Sequence, residues 1–443
     1  MKKLTYYLIG IGGISMSAIA LYLHKNGNKV LGSDIQQNQQ TKELQQKGIK
    51  IYFKQDALNI NSDIDIIVYT SAVENIDSKG YSELLKARKL KIKTYKRSEF
   101  LGKLFNHKRL IAIAGTHGKT TTTGMIAKIL NDNKIDPTVL IGATVKEFKN
   151  RNIKMGKSDI VLLEACEYDR SFLDLNPDIV VITNIEEEHL DYFKGGLPEI
   201  FDTFSEFIKR IKSNGTLIIH QDKNTQKVIS KINRKDIKVV PYAQKINSDI
   251  VNKIQLNIPG THNIDNALAT YFVGKVLNIK DNNIHLSLNK FNGTGRRSEL
   301  IYQDNGIKLF DDYAHHPTEI KTTLLGFKQK YKKNKIICIF QPHQYSRTKI
   351  LFHELAKSFK DCDELILLPI YSVVGREEKK DTSSKKLADE IRKYHSNVTY
   401  KSNFIDTQNY LLGKLSKDDI VISMGAGDIN KFSLNLKEKL SGK

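Results

Sequence analysis

The chain has 443 residues, enough for about three domains that each bury a core. Hydrophobic residues make up 40% and charged residues 27%, which excludes a disordered chain and a multi-span membrane protein. Lys and Arg outnumber Asp and Glu by 70 to 49, and this net +21 is spread along the chain rather than packed into a basic block. Nucleic acid is therefore not the expected partner.

The first hundred residues alternate short apolar runs with helical patterns. Leu4–Ile9, Lys29–Leu31 and Ile64–Tyr69 read as strands, and Ser15–Asn26, Lys42–Lys47 and Ser82–Lys89 as helices. This rhythm predicts a parallel sheet that binds ligand at the strand C-terminal ends. Two lysines before an apolar stretch at Met1–Leu23 imitate a signal peptide or an anchor. Three glycines inside it, Gly10, Gly12 and Gly13, suit a strand-to-helix turn better than a membrane helix, so no membrane association is expected. Ile14 and Ser15 complete that turn. Asp34 follows Gly10 by 24 residues, at the end of the second strand. A Rossmann-like unit holds a ribose hydroxyl or a base at that place.

Arg109–Ala114 is a second compact strand. It runs into Gly115-Thr116-His117-Gly118-Lys119-Thr120-Thr121 and a helical pattern. Strand, glycine loop and a helix opening on Lys-Thr make a phosphate cradle, with Lys119 as point charge and Thr120 as a magnesium ligand. ATP is the expected nucleotide. Further strands are predicted at Ile160–Glu164, Ile179–Asn184, Thr216–His220 and Ile237–Val240. Glu164 ends one strand and His189 lies 25 residues later, just past the next. Spacing alone allows two readings of them, a magnesium site or an acidic solvated loop. Pro259–Asn263 opens a helix at Asn266–Leu277.

A third unit follows Gly293–Arg297, with strands at Ile307–Asp311, Ile336–Gln341, Glu364–Leu368 and Asp419–Ser423. Asp311-Asp312-Tyr313-Ala314-His315-His316 ends the first of these strands. Gln341–Thr348, with His343 and Arg347, ends the following one. Arg347 suits a bidentate carboxylate pair. Gly425–Ile429 is a tight turn, either plain or part of a binding site. Cys166, Cys338 and Cys362 are too few and too scattered for a disulfide framework or a zinc cluster, so a cytoplasmic location is expected.

In this order, over nearly the whole chain, these motifs resemble the Mur ligase family of peptidoglycan synthesis. The resemblance implies an α/β fold of three domains. These are a Rossmann-like UDP-sugar domain at 1–106, a P-loop ATP-binding domain at 107–296 and a Rossmann-like amino-acid-binding domain at 297–443. It implies an ATP- and Mg²⁺-dependent ligase that joins L-alanine to the carboxylate of UDP-N-acetylmuramate through an acyl phosphate, acting as a monomer or weak homodimer. Gly10, Gly12, Gly13, Ile14, Ser15, Asp34 and Ser71 would bind the UDP-sugar. Gly115 to Thr121, His262, Asn263, Asn266, Arg296, Arg297, Asp311 and Asp312 would bind ATP. Thr120, Glu164 and His189 would hold magnesium. Tyr313, His315, His343 and Arg347 would bind the amino acid. Lys119, Glu164, His189, His343 and Arg347 would carry catalysis. Gln344 stands where many relatives have a basic residue. The alternatives are a recycling ligase that adds a whole tripeptide to the same sugar and, more distantly, a non-ligase nucleotide sensor.

Overall fold

A computed structural model describes residues 3–145, 148, 151–190, 192–372 and 379–442. The chain divides into two compact units, Met1–Lys253 with Asp265–Leu288, and Ile254–Ile264 with Asn289–Lys443. Three sheets are distributed between them.

The first sheet lies in the first unit. It is built from β1 (Thr5–Ile9), β2 (Lys29–Ser33), β3 (Lys50–Tyr52), β4 (Ile66–Tyr69) and β5 (Lys93–Lys96), in the order β3-β2-β1-β4-β5. All its pairings are parallel. Tyr7, Leu8 and Ile9 are fully buried. A parallel strand covered on both faces needs such a continuous apolar run.

The second sheet completes the first unit. Its strands are β6 (Arg109–Ala114), β7 (Thr138–Val145), β8 (Arg151–Lys154), β9 (Ile160–Glu164), β10 (Ile179–Ile182), β11 (Thr216–His220) and β12 (Lys238–Tyr242). Their order is β12-β11-β10-β6-β9-β7-β8, parallel except for the β7–β8 hairpin. β6 is central, and Leu110 to Ala114 are inaccessible to solvent. Its neighbours β9 and β10 end at Glu164 and just before Thr183, so their tips flank the loop that leaves β6. One apolar cluster holds residues of both sheets, including Leu8, Phe100, Leu110, Phe172 and Phe204.

The third sheet lies in the second unit and comprises β13 (Glu299–Asp304), β14 (Ile307–Asp312), β15 (Ile336–Phe340), β16 (Glu364–Leu367), β17 (Val398–Tyr400) and β18 (Ile420–Met424). The order is β13-β14-β18-β15-β16-β17, with only β13 antiparallel. The tips after β14 and β15, expected on consecutive strands, are separated in space by β18. The chain's last strand inserts between them, and its Gly425–Asp428 turn falls in the middle of the row. No helix among the described residues is long and apolar enough to cross a membrane.

Candidate active site

Gly115 and Gly118 shape the loop after β6. Gly115 sits at φ +132, and a Cβ there would lie 2.1 Å from Thr183 Oγ1. Gly118 sits at φ +84, and a Cβ there would lie 2.5 Å from Asn266 Oδ1. Only glycine accepts both the left-handed backbone and the close approach. The helix Lys119–Asp132 then opens with no side-chain cap. An uncapped N-terminus presents N–H groups and a positive dipole end to an anion.

The strand tips brace this loop. Asn184 Oδ1 accepts from the His117 N–H at 2.8 Å, and Thr183 Oγ1 donates to the His117 carbonyl at 2.6 Å. Thr116 Oγ1 accepts from the Glu186 N–H at 2.8 Å. The His117 ring lies 3.7 Å from Glu186 and 4.0 Å from Glu188. Thr122 Oγ1 donates to Asn266 Oδ1 at 3.2 Å, tying the loop helix to the helix His262–Val276.

Lys119 folds back over the loop. Its ammonium donates to the carbonyls of Gly115 and, at 3.0 Å, Thr116, and to both oxygens of Glu167 at 3.1 Å. Burial pushes this ammonium down, but Glu167, together with Cys166 and Glu188, outweighs burial and leaves it above its ordinary value. Glu167 is nearly inaccessible, and His189 Nε2 lies 3.9 Å from its Oε1. His189 has φ +55, uncommon for a residue with a Cβ, and its ring meets Tyr168 edge-on at 4.9 Å. Glu164 Oε2 accepts the Gly142 N–H at 2.5 Å, which fixes the carboxylate at the end of β9. A carboxylate, a hydroxyl (Thr120) and an imidazole beside a phosphate loop suit a hard divalent cation that keeps phosphate oxygens among its ligands.

The N-terminal loop is organised in the same manner. Gly10 turns at φ +81, and the N–H groups of Gly10 and Ile11 donate to the Ser33 carbonyl. The helix Ile14–Lys25 opens from Gly13 without a side-chain cap. Asp34, expected beside a ribose or base, accepts the Gly12 N–H at 2.8 Å and so supports the loop directly. Ser15 Oγ accepts from Arg97 at 3.2 Å, and Asn152 Nδ2 donates to the Ile14 carbonyl. Ser71 begins a short 3-10 turn after β4. Beneath the loop, the fully buried Glu83 accepts from Tyr7 at 2.6 Å, Ser33 at 2.5 Å and Asn59 at 2.7 Å.

The second unit carries its own cluster. Arg296 donates to Asp311 Oδ2 at 3.1 Å, to the Gly427 carbonyl at 3.3 Å and to the Gly425 carbonyl at 2.6 Å. The Gly425–Asp428 turn is thus an arginine-binding turn. Arg297 reaches Glu319 at 3.5 Å. Both guanidinium carbons lie about 5 Å from the Tyr313 ring centre, at 5.0 and 5.1 Å. Burial pushes the Asp311 carboxyl up to about 6, against the pull of Arg296. Asp312 accepts from the Ser298 N–H at 2.6 Å, the Ser298 hydroxyl at 3.1 Å and the Ala314 N–H at 2.8 Å, so it braces the chain around it. His343 stacks on Tyr371 at 5.5 Å, Arg347 Nη1 lies 3.4 Å from His343 Nδ1, and the His315 ring is 6.1 Å from that of His343. Gln344 takes φ +69 and donates its N–H to Tyr371. His262 and Asn263 belong to the second unit and Asn266 to the first, although all three stand on one helix. Asn263 Nδ2 donates to the Pro259 carbonyl at 2.6 Å.

Comparison with known families matches residues 5–109 to "Mur ligase family, catalytic domain", 113–274 to "Mur ligase middle domain" and 296–427 to "Mur ligase, glutamate ligase domain". The chain belongs to the Mur ligase family. This Mur ligase is 42% identical to a UDP-N-acetylmuramate--L-alanine ligase of Caldicellulosiruptor bescii, covering 96% of each chain. It is also 42% identical to one of Clostridium botulinum, covering 97% of this chain and 96% of the relative. Among solved structures it superposes on the UDP-N-acetylmuramate-alanine ligase of Thermotoga maritima with a TM-score of 0.81, 25% identity and 99% of both chains covered. A murein peptide ligase of Psychrobacter arcticus shares the fold, with a TM-score of 0.69 at 22% identity.

Three groups in this Mur ligase escaped the sequence reading. Glu167 was visible as the second carboxylate of Glu164-Ala-Cys-Glu167, but its contact with Lys119 depends on strand neighbours. Thr183 and Asn184 stood at a strand tip, with no sign that they grip the loop. Tyr371 follows β16, and only the sheet order brings it under His343.

Proposed function

We propose that this Mur ligase joins L-alanine to the carboxylate of UDP-N-acetylmuramate, with ATP converted to ADP and phosphate. The observation that carries this reading is Lys119, set in an uncapped phosphate loop between the tips bearing Glu164, Glu167 and His189, in a chain 42% identical to L-alanine-adding ligases. We place the sugar-binding domain at 1–106, the ATP-binding domain at 107–296 and the amino-acid-binding domain at 297–443, in the cytoplasm.

A carboxylate is a poor electrophile and must be activated before an amine can acylate itself on it. The sugar carboxylate attacks the γ-phosphorus of ATP, giving an acyl phosphate and ADP. The amine of L-alanine then attacks the acyl carbon, and the tetrahedral intermediate expels phosphate. Such chemistry asks a protein mainly to position anions and neutralise their charge. Lys119 turns from Glu167 to the transferring phosphoryl group and neutralises its charge. Thr120, Glu164 and His189 would hold Mg²⁺, which when bound neutralises charge on the phosphate oxygens. The N–H groups of Gly12 and Gly13 are spent on Asp34 and the Gly10 carbonyl, so they shape the loop, and the helix start at Ile14 and Ser15 offers backbone N–H groups to the UDP diphosphate. His343 and Arg347 receive the alanine carboxylate, with Tyr313 and His315 beside its amine. Arg296 and Asp311 set the ATP side of the second unit.

Phosphate release is the test, measured with ATP, Mg²⁺ and UDP-N-acetylmuramate, each amino acid being added in turn. Release dependent on L-alanine is expected. Release dependent only on L-Ala-γ-D-Glu-meso-diaminopimelate would move the chain to the recycling branch.

A further inference from the structure

We propose that His220, set between Asp222 and Asp265, is a positioning residue for the nucleotide, setting the helix that presses Asn266 against the phosphate loop. The proposal rests on the assignment of the Gly115–Thr121 loop to ATP.

His220 ends β11, two strands from β6. Its Nδ1 lies 2.9 Å from Asp222 Oδ2, and its Nε2 lies 3.6 Å from Asp265 Oδ1, slightly beyond hydrogen-bond length. The Tyr242 ring packs edge-on against it at 5.3 Å from β12. Gln244 Nε2 donates to the other Asp265 oxygen at 2.8 Å. Two carboxylates and one aromatic ring therefore face a single imidazole. Burial alone lowers its affinity for a proton, but the two carboxylates outweigh burial and raise it to about 9.

The two carboxylates are not equally committed. Asp222 is locked in place as a helix cap, since its Oδ1 accepts from the N–H groups of Asn224 at 2.8 Å and Thr225 at 2.9 Å. Asn224 Nδ2 in turn donates to the Ile185 carbonyl, next to the Asn184 that grips the phosphate loop. Asp265 lies in the first turn of the helix His262–Val276, immediately before Asn266. A neutral imidazole donates through only one nitrogen. On losing its proton, His220 keeps the short bond to Asp222 and gives up its ionic attraction to Asp265, which is left to Gln244. That loosens the helix turn which holds Asn266 at Thr122 and at the close approach to Gly118.

The test compares wild-type enzyme with Asp265→Asn and His220→Asn from pH 7 to 10, reading KM for ATP, KM for both other substrates, kcat and thermal unfolding. At pH 7.5 each variant should raise KM for ATP about fivefold to tenfold, the size of one net polar contact, with kcat and the other two KM values within about twofold. In the wild type KM for ATP should rise through an inflection near pH 9. Asp265→Asn should move that inflection to lower pH, and His220→Asn should abolish it. Asp265→Glu, which restores the charge, should recover part of the ATP affinity. A wild-type profile flat across pH 9, or a parallel rise in all three KM values, would overturn the proposal. A wild-type chain that binds no ATP at all would instead overturn the functional reading beneath it.

Discussion

Replacing Lys119 with Met separates what this residue does for stability from what it does for ligation. The Lys119 ammonium pairs with both oxygens of Glu167 at 3.1 Å, and the side chains are only 20% and 5% exposed. Removing one member of a buried pair strands the other charge, at a typical cost of about 3–5 kcal/mol. Because Lys119 keeps a fifth of its surface in water, Lys119→Met should cost about 3 kcal/mol, the lower end of that range. Lys119→Met with Glu167→Gln removes the stranded charge and should recover about 2 kcal/mol of the loss. Denaturant unfolding of the wild type, both single variants and the double variant gives the coupling energy directly. Phosphate release on the same four proteins gives the chemistry. Both variants lacking Lys119 should be inactive in ligation while UDP-N-acetylmuramate affinity stays near normal. A coupling energy under about 0.5 kcal/mol would refute the claim that Glu167 is the buried partner of Lys119. Loss of sugar binding alongside ATP binding would refute the assignment of the two loops to different ligands.

Three further outcomes follow from the same geometry. Gly118→Ala forces a Cβ onto a φ of +84 and to 2.5 Å from Asn266, so calorimetric titration should show ADP affinity falling while sugar affinity is kept. The left-handed backbone alone costs about 1–2 kcal/mol. Glu83→Gln should cost about 1–3 kcal/mol in denaturant unfolding, because one of the donors from Tyr7, Ser33 and Asn59 loses its acceptor. It should weaken the UDP-sugar more than ATP, since Ser33 carries the Gly10 turn. Asp311 is raised from its ordinary value to about 6 by burial. A buried acid of that kind favours the folded state below the unfolded pKa and loses this contribution as pH rises through the folded one. The stability of wild type relative to Asp311→Asn should therefore fall by about 2 kcal/mol between pH 4 and pH 7, and a difference that is flat or rising would contradict it.

Features set by neighbouring residues were legible in the sequence. Arg109–Ala114 ends as a strand where the apolar run predicted, and the phosphate loop and its helix follow at once, because strand, glycine turn and helix start are each decided within a few residues. Glu164 was read at the end of a strand and His189 in the stretch after the next, and the strands Ile160–Glu164 and Ile179–Ile182 have them there. The edge strands β3, β5, β13 and β17 were missed. Lys93–Lys96 has no apolar alternation to reveal it, and pairing with β4 alone makes it a strand. The β7–β8 hairpin was missed as well. Sheet order was equally invisible, because it joins segments that lie well apart along the chain, Arg109 with Ile160 and Lys308 with Ile420. β18 between β14 and β15 turns the Gly425–Asp428 loop into the receptor for Arg296, and β9 beside β6 brings Glu167 to Lys119. Candidates for phosphate, metal and amine chemistry could be named from residue type and order alone, since those capacities belong to side chains and short turns. The folded chain supplies the partners: Asp34 meets the Gly12 N–H, Asp312 the Ser298 and Ala314 N–H groups, and Glu167 the Lys119 ammonium. A carboxylate's partner is set by what the fold brings within about 3 Å of it, not by its neighbours along the chain.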